Sequence, residues 1–212
     1  MLPLGPAGVD LEFALERVAD FYRAHDLPVL FQAPRGEPGS LLENLREQLL
    51  ARGMEAFNPT QVMTAPLRTV LDNCPASGHL PAARFDPAPS PAWLAGYHYR
   101  CNPLPPAAVA VLINANGPIF ATLESSGSEQ PAGVARGIVT DGWLGVTAVT
   151  VPEHRRRAGV GRHLMGELAR WAAALPQPAA HVYLQVDAAN TAALGMYVRL
   201  GFTVHHQYGY LR

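Results

Sequence analysis

An α+β fold is what this chain predicts: a mixed, mostly antiparallel central sheet flanked by helices and preceded by a smaller α/β lobe. Three observations point there. Apolar periodicity switches between helical and strand spacing along the chain, turn dipeptides separate consecutive apolar runs in the second half, and a proline-rich stretch divides the two halves. In the first lobe, Leu11, Leu15, Val18, Phe21 and Tyr22 recur at helical spacing between Asp10 and Ala24, and Asp26 to Pro28 breaks the pattern. Val29 to Gln32 reads as a short strand. Ser40 is placed to cap a second helix with a stripe of Leu42, Leu45, Leu49 and Leu50, ended by Gly53, and Ala56 to Met63 reads as another strand.

Nine prolines fall between Pro66 and Pro106, and because proline fixes φ and removes a donor, this stretch reads as an irregular connector. It holds one short helix, Pro91 to Arg100, carrying Trp93, Tyr97 and Tyr99. The expected division is therefore a lobe at 1–66, a connector at 67–106 and a second domain at 107–212.

That second domain opens with apolar runs at Val109 to Asn114 and Ile119 to Leu123 across Asn116-Gly117, then Gly133 to Val139 and Trp143 to Val151 across Asp141-Gly142. Four antiparallel strands are expected. A helix follows with Val160, Leu164, Leu168, Trp171 and Leu175 on one face, stopped by Pro176, and His181 to Val186 reads as a strand. The last helix, Thr191 to Leu200, has Asn190 at its start and Gly201 past its end, before a final strand from Phe202. Val29 to Gln32 parallels Val182 to Gln185, and each is followed by a helix, a glycine and a strand, so the first lobe reads as a degenerate copy of the second. It lacks a glycine-rich loop, and Leu49 or a neighbour stands where the second copy has Tyr197, so its role is expected to be structural.

Composition narrows the function. Hydrophobic residues make up 49% and charged residues 16%, which excludes disorder, and a net charge of -1 with pI about 6.7 disfavours nucleic acid as a partner. All 16 basic residues are Arg, which together with abundant Ala, Pro and Gly fits a high-GC bacterial genome. No stretch approaches the ~20 apolar residues of a membrane span, and the N-terminus lacks a signal-like pattern, so a cytoplasmic protein is expected. Cys74 and Cys101 have no CxxC spacing, and His205-His206 are strand neighbours that point to opposite faces, so no disulfide framework or metal site is expected.

The informative segment is VTVPEHRRRAGVGR, Val149 to Arg162, which sets arginines and two glycines between a strand and a helix start. Backbone N–H groups in such a turn, with the positive end of the helix, bind phosphate oxygens, and Gly159 and Gly161 permit close approach. Neither GxGxxG nor GxxxxGK[ST] is present. Arg156-Arg157-Ala158-Gly159-Val160-Gly161 resembles the [RQ]xxGx[GA] acyl-CoA signature of the GNAT superfamily of N-acetyltransferases. Downstream, Asn190, Ala193, Tyr197, Gly201 and Phe202 match the N..A...Y...GF ending of such domains, within a run from Tyr183 to Tyr210 like that of members ending YLQV, N..A...Y...GF and HH.Y.Y. The resemblance covers Ala107 to Arg212. The loop departs from the family in one respect: Arg156 lies four residues after Pro152 rather than three, so Arg155 is a candidate for part of the expected Arg role.

The resemblance implies a GNAT-type fold and transfer of an acetyl group from acetyl-CoA to a primary amine of a small molecule or peptide. It implies that Val149, Thr150 and Val151 pair with the pantetheine arm, that amides of Arg156, Arg157, Ala158, Gly159, Val160, Gly161 and Arg162 hold the pyrophosphate, that Asn190 contributes to the cofactor site, and that Tyr197 protonates the leaving thiolate. The strand Trp143 to Val151 lacks the glutamate such enzymes often use as base, leaving Asp141 first, Glu124 second, or a water chain assisted by His205 or His206. That absence also leaves a non-catalytic acyl-CoA sensor as the alternative. Monomer or homodimer is expected, and Trp93 and Trp143 are read as packing residues before acceptor-pocket walls.

Overall fold

The computed structural model of the chain describes residues 1–76, 78–97, 104–125, 127 and 130–212. It falls into two compact units made of non-contiguous segments. The first comprises Met1–Val62, Val186–Thr191 and Val204–Arg212; the second comprises Met63–Gln185 and Ala192–Thr203. Two C-terminal segments thus fold with the N-terminal lobe.

In the first unit, α1 (Leu11–Ala24) starts where the Asp10 side chain accepts from the amides of Glu12 and Phe13, and α2 (Leu41–Ala51) starts where Ser40 accepts from Glu43. Strand β1 (Phe31–Pro34) pairs antiparallel with β8 (Thr203–Leu211), from Phe31↔Leu211 to Pro34↔Tyr208. The order in this unit is β1-β8-β2, with β2 running Ala56–Pro66. Val18, Phe31, Ala33, Leu49 and Leu211 form its core.

In the second unit, the order continues β2-β7-β6-β5-β4-β3, with β3 at Arg84–Asp86, β4 at Ile119–Leu123, β5 at Gly133–Thr140, β6 at Trp143–Thr150 and β7 at His181–Asp187. Pairing from β3 through β6 is antiparallel, and β6 with β7 is parallel, so the mixed, mostly antiparallel sheet expected from the sequence is present. Helix α6 (Val160–Ala173) covers one face of β5: a Cβ on Gly133 would sit 2.8 Å from Val160 Cγ1, and one on Gly137 2.9 Å from Leu168 Cδ2. These glycines let the helix lie close. On the other face, Phe120 and Val134 pack against Trp93 of α4 (Pro91–Gly96), and Leu112 of α5 (Pro106–Ile113) packs against the same cluster.

Two expectations are corrected. Val109 to Asn114 is not a strand but the body of α5, and β3 takes the outer place in the meander beside β4. The reason is local: Pro106 occupies the first helical turn, where its missing N–H costs nothing, and a short apolar run does not itself distinguish helix from strand. The connector is likewise more regular than expected. It holds α3 (Leu67–Asn73), β3 and α4, because Pro66 stands at an N-cap and Pro91 in a first turn, positions that tolerate proline. Helix α4 ends at Gly96, and positions 98–103, including Tyr99 and Cys101, lie outside the described residues.

Trp93 is fully buried, meets Phe120 edge-on at 5.0 Å between centroids, and donates Nε1 to the Ala135 carbonyl at 3.0 Å. Trp93→Ala is expected to destabilise the protein by about 3–5 kcal/mol in chemical denaturation, because it leaves a cavity and an orphaned carbonyl together.

Candidate active site

Strand β6 is where the sheet opens. Its parallel pairing with β7 runs from Trp143↔His181 to Val146↔Leu184, yet β6 continues to Thr150. On its other side the register with β5 shifts between Arg136↔Thr147 and Val134↔Thr150, which places one extra residue in β6. That is a β-bulge, and Ala148 within it adopts φ 56, a left-handed conformation uncommon for a residue with a side chain. The Ala135 carbonyl opposite the bulge takes its hydrogen bond from Trp93 instead. Beyond Val146, then, β6 presents a backbone edge that diverges from β7, suited to pairing with an extended amide-bearing arm at Val149, Thr150 and Val151.

The loop after β6 forms a 3-10 turn at Glu153–Arg155, in which the amides of Arg155 and Arg156 donate to the carbonyls of Pro152 and Glu153 at 2.9 and 3.1 Å. The turn lies in the stretch where the sequence is one residue longer than the family pattern. It also uses the Arg156 amide, which the sequence reading assigned to pyrophosphate. Arg157 then turns left-handed at φ 66, and Gly159 caps α6 at φ 79. The first intrahelical bond of α6 is from the His163 amide to the Gly159 carbonyl at 2.9 Å, so the amides of Val160, Gly161 and Arg162 are first-turn donors at the positive end of a 14-residue helix.

The arginine side chains are engaged more locally than expected. Arg155 Nη2 donates to Ser125 Oγ at 2.6 Å, Arg156 Nε to the Val151 carbonyl at 3.4 Å, and Arg162 Nε and Nη2 to the Asn73 carbonyl at 3.0 and 2.7 Å. Arg155 thus ties the loop to the end of β4. The donors this turn could offer an anion are therefore the first-turn amides and the positive end of α6.

Helix α7 (Thr191–Arg199) reaches the same place: a Cβ on Gly161 would lie 3.1 Å from Met196 Sδ and 3.8 Å from Val151 Cγ2. Met196 is thereby anchored against the start of α6, and Tyr197 follows it, 7% exposed with its ring 5.7 Å from that of Phe202. Burial pushes the Tyr197 phenol up to about 12. A raised phenol is protonated throughout the working range and serves as a donor.

The acids are less well placed. Asp141 sits at φ 48 in the β5–β6 hairpin, seven residues before the bulge, roughly 23 Å along the strand from Ala148. It is out of reach of a group bound at the bulge. Glu124 lies just past β4, at the end of the sheet where β6 opens, with its side chain exposed and 3.6 Å from Arg84 Nη1. Asn190 belongs to the first unit, where its amide donates to the Asp187 carbonyl at 2.9 Å. His205 and His206 also lie there, and their Nδ1 atoms approach to 2.8 Å, so these rings meet rather than pointing apart. Among the described residues no group of three or more His, Cys, Asp or Glu is placed to hold a metal, and no helix is long and apolar enough to cross a membrane. A groove of about 1330 Å³, between the N-terminal segment and the α1 and α2 helices, contains none of the expected site residues.

Sequence reasoning missed the bulge at Ala148, the Trp93 bond that supports it, and the Met196–Gly161 contact. Nothing in the regular alternation around Ala148 signals a left-handed residue.

A splayed, bulged strand leading through a glycine turn into a helix start, with a tyrosine-bearing helix packed on that start, defines a GNAT-type acyltransferase. The chain belongs to the family described as "Probable histone acetyltransferase Rv0428c C-terminal", whose model matches residues 2–211. The YobR protein of Bacillus subtilis (strain 168), described as an uncharacterized N-acetyltransferase, is 24% identical over 204 residues, covering 90% of this chain and 75% of that protein. Among solved structures, a GCN5-related N-acetyltransferase from Kribbella flavida is similar with a TM-score of 0.62 at 18% identity, over 99% of this chain and 79% of that one. A tandem GNAT protein from the clavulanic acid biosynthesis pathway gives a TM-score of 0.70 at 11% identity, over 94% and 68%. At such identities these structures speak for the fold.

Proposed function

We propose that this acyltransferase moves an acetyl group from acetyl-CoA to a primary amine by direct attack. The observation that carries the reading is the convergence, in one unit, of the diverging β6 edge, the Gly159-capped start of α6, and α7 held there through Met196. Acetyl-CoA supplies the activated thioester. The edge at Val149 to Val151 orients its pantetheine arm, and the amides of Arg157, Ala158, Gly159, Val160, Gly161 and Arg162 bind its pyrophosphate at the positive helix end. The disturbed backbone at Ala148 offers polar groups where negative charge develops on the carbonyl oxygen.

Tyr197 donates a hydrogen bond to the departing sulfur. An ordinary thiol ionises near 8.5, roughly 3.5 below this phenol, so complete proton transfer from Tyr197 alone is uphill by about 5 kcal/mol. The phenol therefore stabilises sulfur charge through the hydrogen bond, and its proton moves as the new amide nitrogen loses its own. Glu124 is the carboxylate assigned to accept that proton through water, in preference to Asp141. Holding amine and thioester side by side supplies much of the remaining acceleration.

The phenol's folded value lies above its ordinary 10.0, so its contribution to stability is complete below pH 10 and is lost as pH rises through about 12. The rate is accordingly expected to climb with pH as the amine deprotonates and to show no alkaline fall from Tyr197 below pH 10. A fall in that range that vanishes in Tyr197→Phe contradicts the assignment.

The direct test is thiol release from acetyl-CoA against a panel of amines, amino acids and histone-type lysine peptides, with products weighed by mass spectrometry. An amine-dependent release with a gain of one acetyl group is expected; release without an acetylated amine, or none with any acceptor, refutes the reading.

A further inference from the structure

We propose that Arg136 and the exposed aromatic surface beside it bind the acceptor, and that the acceptor is an amino acid whose carboxylate pairs with Arg136 while its apolar side chain lies on the rings. This rests on the amine-acetylating reading above and specifies its substrate class. Side chains alternate across a strand, so with Gly133 and Gly137 under α6, Arg136 projects to the opposite face of β5. There its guanidinium stands 5.9 Å from the Phe120 ring centroid.

Arg136 is only 7% exposed, and no carboxylate lies within ion-pairing distance among the described residues. Burial lowers its pKa, with a partial opposing effect from Tyr183. Of the five N–H donors of a guanidinium, Nε–H goes to the Leu112 carbonyl at 2.9 Å and one on Nη1 makes a long contact with Thr147 Oγ1 at 3.5 Å. A buried cation in this condition calls for an anion, and a bidentate carboxylate matches the donors that remain. The fork is not sealed in: the one fully enclosed side-chain polar atom without a partner among the described residues is Thr122 Oγ1.

The surroundings give the rest of the ligand. Gly145, next to Tyr183 in the β6–β7 pairing, has no side chain, and a Cβ there would meet the Tyr183 ring at 2.9 Å, so the ring lies flat over bare strand. Trp143 stacks on His181 at 4.6 Å and meets Tyr183 edge-on at 6.4 Å, and Trp143 and Tyr183 each remain 36% exposed. The result is an exposed aromatic surface made of a stacked pair and one ring set edge-on to it. Arg136 pairs with Thr147 across the strands and its Nη1 comes to 3.5 Å from Thr147 Oγ1, and Thr147 immediately precedes the bulged Ala148, so cation and bulge are close neighbours. Amine and carboxylate in the acceptor must be comparably close, which fits an α-amino acid and does not fit a polyamine or the side chain of a lysine within a protein. The cation also disfavours the ammonium form of the nearby amine, which supplies the neutral nucleophile on a strand that has no carboxylate.

The test compares phenylalanine, phenylalanine amide and phenethylamine as acceptors and as ligands, in the wild type, Arg136→Met and Arg136→Lys. In the wild type, kcat/KM for phenylalanine is expected to exceed that for phenethylamine at least about ten-fold, with the amide between them. Arg136→Met is expected to raise KM for phenylalanine about ten-fold or more and to erase the preference, with KM for acetyl-CoA unchanged, and Arg136→Lys to retain part of it. Thermal shifts keep the two readings apart. CoA raising Tm while phenylalanine adds nothing in its presence overturns the acceptor assignment and leaves the acyl-CoA site standing; no shift with CoA overturns both. Equal rates for the three acceptors, or faster transfer to phenethylamine, also overturn it. Should Arg136→Met not fold because α5 loses its tie to Leu112, the wild-type acceptor series and Arg136→Lys decide the matter.

Discussion

Tyr197→Phe is expected to lower kcat by about 100-fold to 10,000-fold, the range a positioned proton donor contributes, while KM for acetyl-CoA stays within about two-fold. The expectation follows from what the substitution removes. The ring remains, buried and beside Phe202, so α7 keeps its packing and its Met196 contact with Gly161, and the loop amides are untouched. Only the hydroxyl is lost, at a stability cost near 1 kcal/mol. A loss of CoA affinity equal to the loss of rate would instead make Tyr197 a packing residue.

Gly159→Val is expected to weaken CoA binding by about ten-fold or more and to cost about 1–3 kcal/mol of stability, read by calorimetric titration and by a Tm fall of several degrees. A Cβ at this position meets no neighbouring atom within 4 Å, so the penalty is conformational rather than steric: φ is +79, where a β-branched residue is strained. Relieving that strain rotates the turn and re-aims the amides on either side of the α6 start. Gly159→Asn is the matching control, because Asn tolerates the left-handed region and is expected to keep most of the affinity. Equal affinity in the Val variant would mean that the turn does not hold the phosphates.

Much of this was legible in the residues. Asp10 and Ser40 announce their helices as capping side chains, and Gly201, at φ 91 past the end of α7, announces its stop. The glycine turn and the Asn190-to-Phe202 pattern pointed to the family because such backbone demands leave glycines at fixed spacing. What stayed hidden depends on partners distant in the chain. Helix α5 reads as a strand because eight apolar residues have no period to distinguish the two, and only Pro106 hinted at a helix start. Ala148 gives no sign of its left-handed φ, since the bulge is fixed by Trp93 reaching the Ala135 carbonyl. Arg156 reads as a phosphate ligand in the sequence, and its amide donates within a 3-10 turn to the Glu153 carbonyl. Arg136 reads as an ordinary strand charge until the helices above it are in place.

Amide hydrogen exchange with and without CoA tests the central claim most directly. Binding is predicted to slow exchange at Arg157 to Arg162 and along Val149 to Val151, with little change at Asp141-Gly142. Protection elsewhere while those amides exchange at their free rates would contradict it.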